Sequence, residues 1–155
     1  MEITVTLAKA LVTQENLERL QGFLDSGKSC RDRDRTHLEV LSQKLDSFEV
    51  VPTDEIPRDV VTMNSQVAIT DLDAGRLSIY TLVFPGSGDI SKGKVSVLAP
   101  VGTALLGSRA GALIDLKGAG GRRRLRVEKI LHQPEAARKS DAAVHVDRDS
   151  YYPAA

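Results

Sequence analysis

A chain of 155 residues that is 41% hydrophobic and carries no net charge holds enough material for one ordinary domain, or a small domain with an appendage. Aromatic residues make up only 4% and tryptophan is absent, so any core must be built from Val, Leu, Ile and Ala. No run approaches the ~20 apolar residues of a membrane-spanning helix, and the neutral balance excludes a protein that lives on the nucleic-acid phosphate backbone.

The charge is unevenly spread. Residues 1–58 carry 8 Lys/Arg against 11 Asp/Glu, and residues 59–132 carry 10 against 6. The two parts therefore present different faces to a partner. Cys30 is the single cysteine, which excludes an intrachain disulfide and a multi-cysteine metal site. It reads as an incidental surface thiol of a reducing compartment, and the cytoplasm is the expected location.

In chain order, the N-terminus MEITVTLAKALVTQ has an acid at position 2 and a lysine at position 9, and does not read as a signal peptide. Its ITVTLAKAL portion alternates at first, as a short strand would. Thr13 is a plausible N-cap for a helix whose stripe is Leu17, Leu20 and Leu24, stopped by Gly27. After the polar run SCRDRDR the helical spacing resumes in Leu38, Leu41, Leu45 and Phe48. Neither helix is long enough to persist alone at roughly 13 residues, so the pair predicts a short antiparallel hairpin over residues 1–56. Pro52, Pro57 and the turn-forming Asn64-Ser65 mark the boundary that follows.

From residue 66 the period becomes two. QVAITDLD and RLSIYTLVF, separated by Ala74-Gly75, predict an antiparallel pair. The loop PGSGDISKG leads to the strand KVSVLAP, the short turn VGTALLG, the strand ALIDLKG and a last strand RRRLRVEKI. The fold class is α+β with a mostly antiparallel sheet. In the last strand, alternation sends Leu125 and Val127 to one face and Arg122, Arg124 and Arg126 to the other, a solvated face before it is a partner surface. Residues 133–155, polar and without period, read as a loosely held tail. His37, His132 and His145 have no metal or triad spacing, and neither phosphate-loop pattern is present.

Three ordered motifs, PRDVVTMNSQV (57–67), VSVLAPVGTALLG (95–107) and QPEAA (133–137), closely resemble the regulator of nucleoside diphosphate kinase family, small bacterial relatives of the Gre transcript-cleavage factors. The resemblance implies an FKBP-like C-terminal domain over 57–137, an antiparallel half-barrel closing around one short helix, with a flexible tail at 138–155. It also implies a partner, RNA polymerase, with the hairpin directed into the secondary channel. The expected protein is monomeric, non-enzymatic and free of cofactors and metal. Prolyl isomerase chemistry is set aside because residues 59–132 offer only Tyr80 and Phe84 to line a pocket.

Within the second motif, Pro100 ends a strand and suits the start of a helical turn, Ala104, Leu105 and Leu106 fill the concave side of the sheet, and Gly107 supplies a left-handed end. The segment is packing first, with its edge around Leu98 and Pro100 as a docking surface. Cleavage factors often carry a polar or acidic residue where this chain has Leu98, so an ionic contact is not carried over and an apolar one stays open. They also carry a close acidic pair at the hairpin tip that helps hold a second Mg²⁺. Here Asp32 and Asp34 alternate with Arg31, Arg33 and Arg35, cations that occupy the carboxylates and make them poor ligands. Transcript cleavage is therefore not expected. RDRDR reads either as a solvated, self-neutralising turn or as a contact for acidic groups at the channel entrance. Two alternatives remain: a residual cleavage stimulator using Asp32 and Asp34, and an interaction module with a client other than polymerase.

Overall fold

The computed structural model describes residues 2–5, 10–26, 32–118 and 121–138. The architecture is α+β. Strand β1 (Glu2–Val5) is followed by β2 (Leu11–Thr13), α1 (Gln14–Ser26), α2 (Asp32–Asp46) and β3 (Glu49–Val51). Then come β4 (Gln66–Asp71), β5 (Arg76–Val83), β6 (Lys94–Ser96), α3 (Pro100–Leu105), β7 (Leu113–Gly118) and β8 (Gly121–His132). A short helix, α4, covers 134–138.

Six strands form one sheet in the order β1-β7-β8-β4-β5-β6, antiparallel except for the β5–β6 pair. The β4–β5 hairpin turns through Gly75 (φ 64°), as the Ala74-Gly75 break predicts. Two register shifts between β4 and β8 are bulges, which raise the local twist and curl the sheet around α3. Period-two burial is plain in β8, where Leu125 and Val127 are buried between exposed arginines.

The N-terminal segment resolves into two strands. β1 extends the large sheet along β7, and β2 pairs in parallel with β3, Leu11 to Glu49 through Thr13 to Val51. Thr13 is the N-cap of α1, its Oγ1 accepting from the Asn16 N–H at 3.1 Å. The two helices do not lie along each other as a short coiled coil would. Gln21, Leu24 and Asp25 share a shallow groove with Ser42, Leu45 and Asp46. The C-terminal half of α1 thus faces the C-terminal half of α2, where an antiparallel pair would set it against the start of α2. Leu20, Leu41, Leu45 and Phe48 are buried with Val67, Leu82, Leu105, Leu106 and Val127, so both stripes enter one core shared with the sheet and α3. Phe48 lies beyond the end of α2 and still completes its stripe.

Two further expectations change. Asp32–Arg35 do not belong to a turn; they open α2. Residues 133–138 are not loose, because Gln133 and Glu135 are buried and bonded, and the rest of the expected tail lies outside the described residues. Among the described residues no helix is long and apolar enough to cross a membrane.

Candidate functional site

The turn after β6 is built by short-range bonds. Val97 N–H donates to Val83 O at 2.9 Å, and Ser96 Oγ accepts from the Leu98 N–H at 3.1 Å, bending the chain off the sheet. Pro100 then occupies the first turn of α3, where no backbone donor is needed. Gly102 is obligatory, since a Cβ there would overlap the Ser96 carbonyl oxygen. Thr103 Oγ1 donates to Val97 O at 2.5 Å and ties the helix back to the strand it left.

The end of α3 is closed from elsewhere in the chain. Ser108 Oγ donates to Ala104 O at 2.7 Å. Lys44, from α2, reaches the Thr103 and Ala104 carbonyls with its ammonium, the latter at 3.0 Å, and lies 5.5 Å from the centre of the Phe48 ring. Its stem is only half-buried, yet burial of the charged end lowers its pKa from 10.5 to about 7. Gly107 (φ 80°) is left-handed, and a Cβ there would stand 3.0 Å from Ala10 Cβ, Leu11 O and Phe48 Cζ. The C-terminal end of the VGTALLG motif is thus covered by residues 10–11, 44 and 48.

What remains open is the other end, a lip made of Leu98, Pro100 and Val101, all half-buried. The lip contains no titratable side chain and no nucleophile, so it offers apolar contact and shape, not acid–base chemistry. Among the described residues no group of three or more His, Cys, Asp and Glu could hold a metal ion.

The charged candidates at the start of α2 stand apart from the lip. Arg31 lies outside the described residues, as do Cys30 and His145, and Asp32, Arg33, Asp34 and Arg35 form the first turn of α2. Lys44 is twelve residues further on, about 18 Å along the helix at 1.5 Å per residue. The residues singled out in the sequence therefore fall into two groups joined by α2.

Two features escaped sequence reasoning. Lys44 carries no mark in the sequence, and only its position at the end of α3 distinguishes it. The other is a polar clasp at the C-terminus. Gln133 Nε2 donates to Pro57 O (2.7 Å) and Val60 O (2.8 Å). The Glu135 carboxylate accepts from Thr62 Oγ1 at 2.7 Å and Asn16 Nδ2 at 3.4 Å, while Ser65 Oγ lies 2.9 Å from Thr62 Oγ1. All five side chains are buried. The signal was present in QPE, a charged group beside a proline within a recognisable motif. The α1 face is held in addition by Phe23 stacked on Phe84, with centroids 5.7 Å apart, and by Arg19 over the same ring at 4.1 Å.

The arginines of β8 are neutralised where they stand. Arg122 pairs with Asp115 at 2.6 Å, Arg123 with Asp71 at 3.6 Å, Arg124 with Asp73 at 2.8 Å and Arg126 with Glu128 at 2.7 Å. The hydrogen bond from the Arg124 guanidinium holds Asp73 below the usual carboxylate range, and that from Arg126 does the same for Glu128. Such exposed pairs contribute little to stability, and they leave the Arg122–Arg126 stretch of this strand without a free basic face.

Comparison with known proteins agrees with this geometry. The family model "Transcription elongation factor, GreA/GreB, C-term" matches residues 56–132. A regulator of nucleoside diphosphate kinase from Escherichia coli K12 is 42% identical over 100 residues, 64% of this chain and 74% of that protein. A transcription elongation factor GreA from Nitratidesulfovibrio vulgaris is 35% identical over 85 residues, 55% of this chain and 53% of that protein. Among solved structures, a prokaryotic transcription elongation factor GreA/GreB from Nitrosomonas europaea superposes with a TM-score of 0.65 at 34% identity, covering 81% of this chain and 100% of that one. The chain belongs to the regulator of nucleoside diphosphate kinase family, relatives of the GreA and GreB factors.

Proposed function

We propose that this protein is a non-catalytic transcription regulator that docks on RNA polymerase through the Leu98–Val101 lip, places α1 and α2 at the secondary channel, and competes there with Gre-type cleavage factors. It acts as a monomer in the cytoplasm, where polymerase is found. The observation that carries this reading is the division of the second motif: one end is sealed by the chain itself, and the other presents an apolar lip with no reactive group. Likeness to proteins named as elongation factors supplies the partner.

The start of α2 supports the non-catalytic part. Asp32 and Asp34 stand in a helical turn with Arg33 and Arg35 interleaved, so each carboxylate has a cation beside it in sequence. A metal-binding pair needs oxygen ligands with little competing positive charge. The arginines then serve as contacts to acidic groups at the channel entrance.

Binding to purified core RNA polymerase, with a Gre-type cleavage factor titrated in, tests the reading. Mutual displacement is expected, together with weaker binding by Leu98→Ser and by the triple change Arg31→Ala, Arg33→Ala, Arg35→Ala. Tight binding without displacement moves the site away from the channel. Transcript cleavage by stalled complexes that disappears with Asp32→Asn and Asp34→Asn would overturn the non-catalytic assignment.

A further inference from the structure

The outer face of β5 and the turn that follows it carry three aliphatic side chains that the described residues leave exposed. Leu77 is 61% exposed, Ile79 51% and Ile90, on the turn between β5 and β6, 71%. The outer face of an antiparallel sheet ordinarily reads polar, and scattered single aliphatics are unremarkable. These are not scattered. Leu77 and Ile79 are neighbours on one face of one strand, and Gly93, three residues after Ile90, packs so close that a Cβ would lie 3.0 Å from Ile79 O.

The backbone beside them is open as well. β6 pairs with Thr81, Leu82 and Val83, so, among the described residues, 76–80 have β4 on one side and no strand on the other. Even-numbered residues turn their backbone groups to the β4 side, as Leu82 N–H shows by donating to Ser65 O at 3.0 Å. Odd-numbered residues turn to the open side, as Thr81 N–H shows by donating to Gly93 O at 2.7 Å. The N–H and C=O of Leu77 and the N–H of Ile79 therefore face the open edge, beside their own exposed side chains.

The surrounding charge is positive. Lys94 shares the face of its register partner Thr81, Lys129 lies in register with Ala68 and so in line with Ile79, and both are exposed. Lys92 is exposed on the same turn as Ile90. Unlike the β8 arginines, these three lysines have no carboxylate partner among the described residues. The nearest acids are engaged elsewhere, Asp89 with Ser91 and Glu128 with Arg126.

We propose that the β5 edge, with Leu77, Ile79 and Ile90 framed by Lys92, Lys94 and Lys129, is a docking site for an extended protein segment in which acidic and aliphatic residues alternate. The segment adds to the sheet as a further strand: its backbone pairs with the open N–H and C=O groups, its aliphatics cover the three exposed ones, and its carboxylates meet Lys92 and Lys94, with Lys129 two strands further in adding to the positive field. Nucleic acid is disfavoured because no aromatic platform accompanies the lysines. The site is separate from the Leu98–Val101 lip and does not depend on polymerase binding.

The test uses the full-length ¹⁵N-labelled chain and a synthetic peptide, acetyl-EVEIEVE-amide, followed by amide chemical shifts. Perturbation confined to residues 76–81 and 90–94 is expected. Leu77→Thr with Ile79→Thr, both exposed and compatible with a strand, weakens binding by about tenfold or more. Lys94→Glu weakens it too, and a peptide N-methylated at alternate residues does not perturb the edge. Absence of shifts at the edge with millimolar peptide overturns the proposal. So does tighter binding of phosphatidylglycerol vesicles or of an oligothymidylate to the same residues, which would assign the surface to lipid or nucleic acid.

Discussion

Lys44 shows how one side chain joins two elements. Its ammonium satisfies two carbonyls at the end of α3 from a position on α2, in a setting where burial lowers its pKa to about 7. In the unfolded chain it titrates near 10.5, so between pH 7 and 10.5 the unfolded chain binds the extra proton. Stability therefore rises with pH through that window, and below pH 7 this contribution is absent. The carbonyl acceptors favour the charged form and offset part of the burial cost, leaving an effect on the order of 2 kcal/mol. Lys44→Met keeps the stem and removes the proton. The urea midpoint of the wild type is expected to rise relative to that of Lys44→Met as pH increases from 6 to 9. A difference that stays constant with pH would show that Lys44 does not titrate in the folded protein. Nothing in the sequence marked this lysine, because a lysine in the last turn of a helix is ordinarily solvated and favoured there. Gly107 was legible for the opposite reason: a glycine ending an apolar turn has a local backbone explanation, and its φ of 80° agrees.

At the scale of elements, the C-terminal clasp ties three regions that are remote in sequence. Glu135 on α4 bonds to Asn16 near the start of α1 and to Thr62 before β4, and Gln133 closes over Pro57 and Val60. Removing the carboxylate leaves the buried Thr62 hydroxyl and Asn16 amide without that acceptor, which costs about 1–3 kcal/mol for an unsatisfied polar group. Glu135→Ala is expected to lower the urea midpoint accordingly and to speed amide exchange in the first two turns of α1. Glu135→Gln, which keeps an acceptor oxygen, is expected to do so less. Equal exchange in wild type and Glu135→Ala would show that α1 is held by Phe23 and Arg19 on Phe84 alone. The strands were legible because their period reports burial directly, as in Leu125 and Val127 against Arg124 and Arg126. The crossing of α1 and α2 was not, since two leucine stripes say that each helix buries one face and not what covers it.

Across the whole molecule the helices and the sheet share a single core. Leu20 and Leu41 are fully buried in the same cluster as Leu82, Ile114 and Val127, and β1 from the N-terminus completes the sheet along β7. A shared core of this kind unfolds as a unit. Methyl resonances of Leu41 and Val127 are expected to lose intensity at the same urea concentration. Loss of the Leu41 signal at a lower concentration would show that the helical segment detaches from a sheet that is stable without it.

The sequence by itself determined the class of the strands from residue 66 and the family, because periodicity, proline and glycine placement and the motif at 95–107 are local properties written in consecutive residues. It also determined which of the tip residues are charged and that the lip is apolar. Only the tertiary structure decided that Asp32–Arg35 belong to a helix and that both helices share one core with the sheet. It alone placed Lys44, Gln133 and Glu135 as ties between distant segments and left the β5 edge uncovered. These depend on which surfaces meet after folding, and a hydrogen bond between residues 16 and 135 has no signature in the neighbourhood of either.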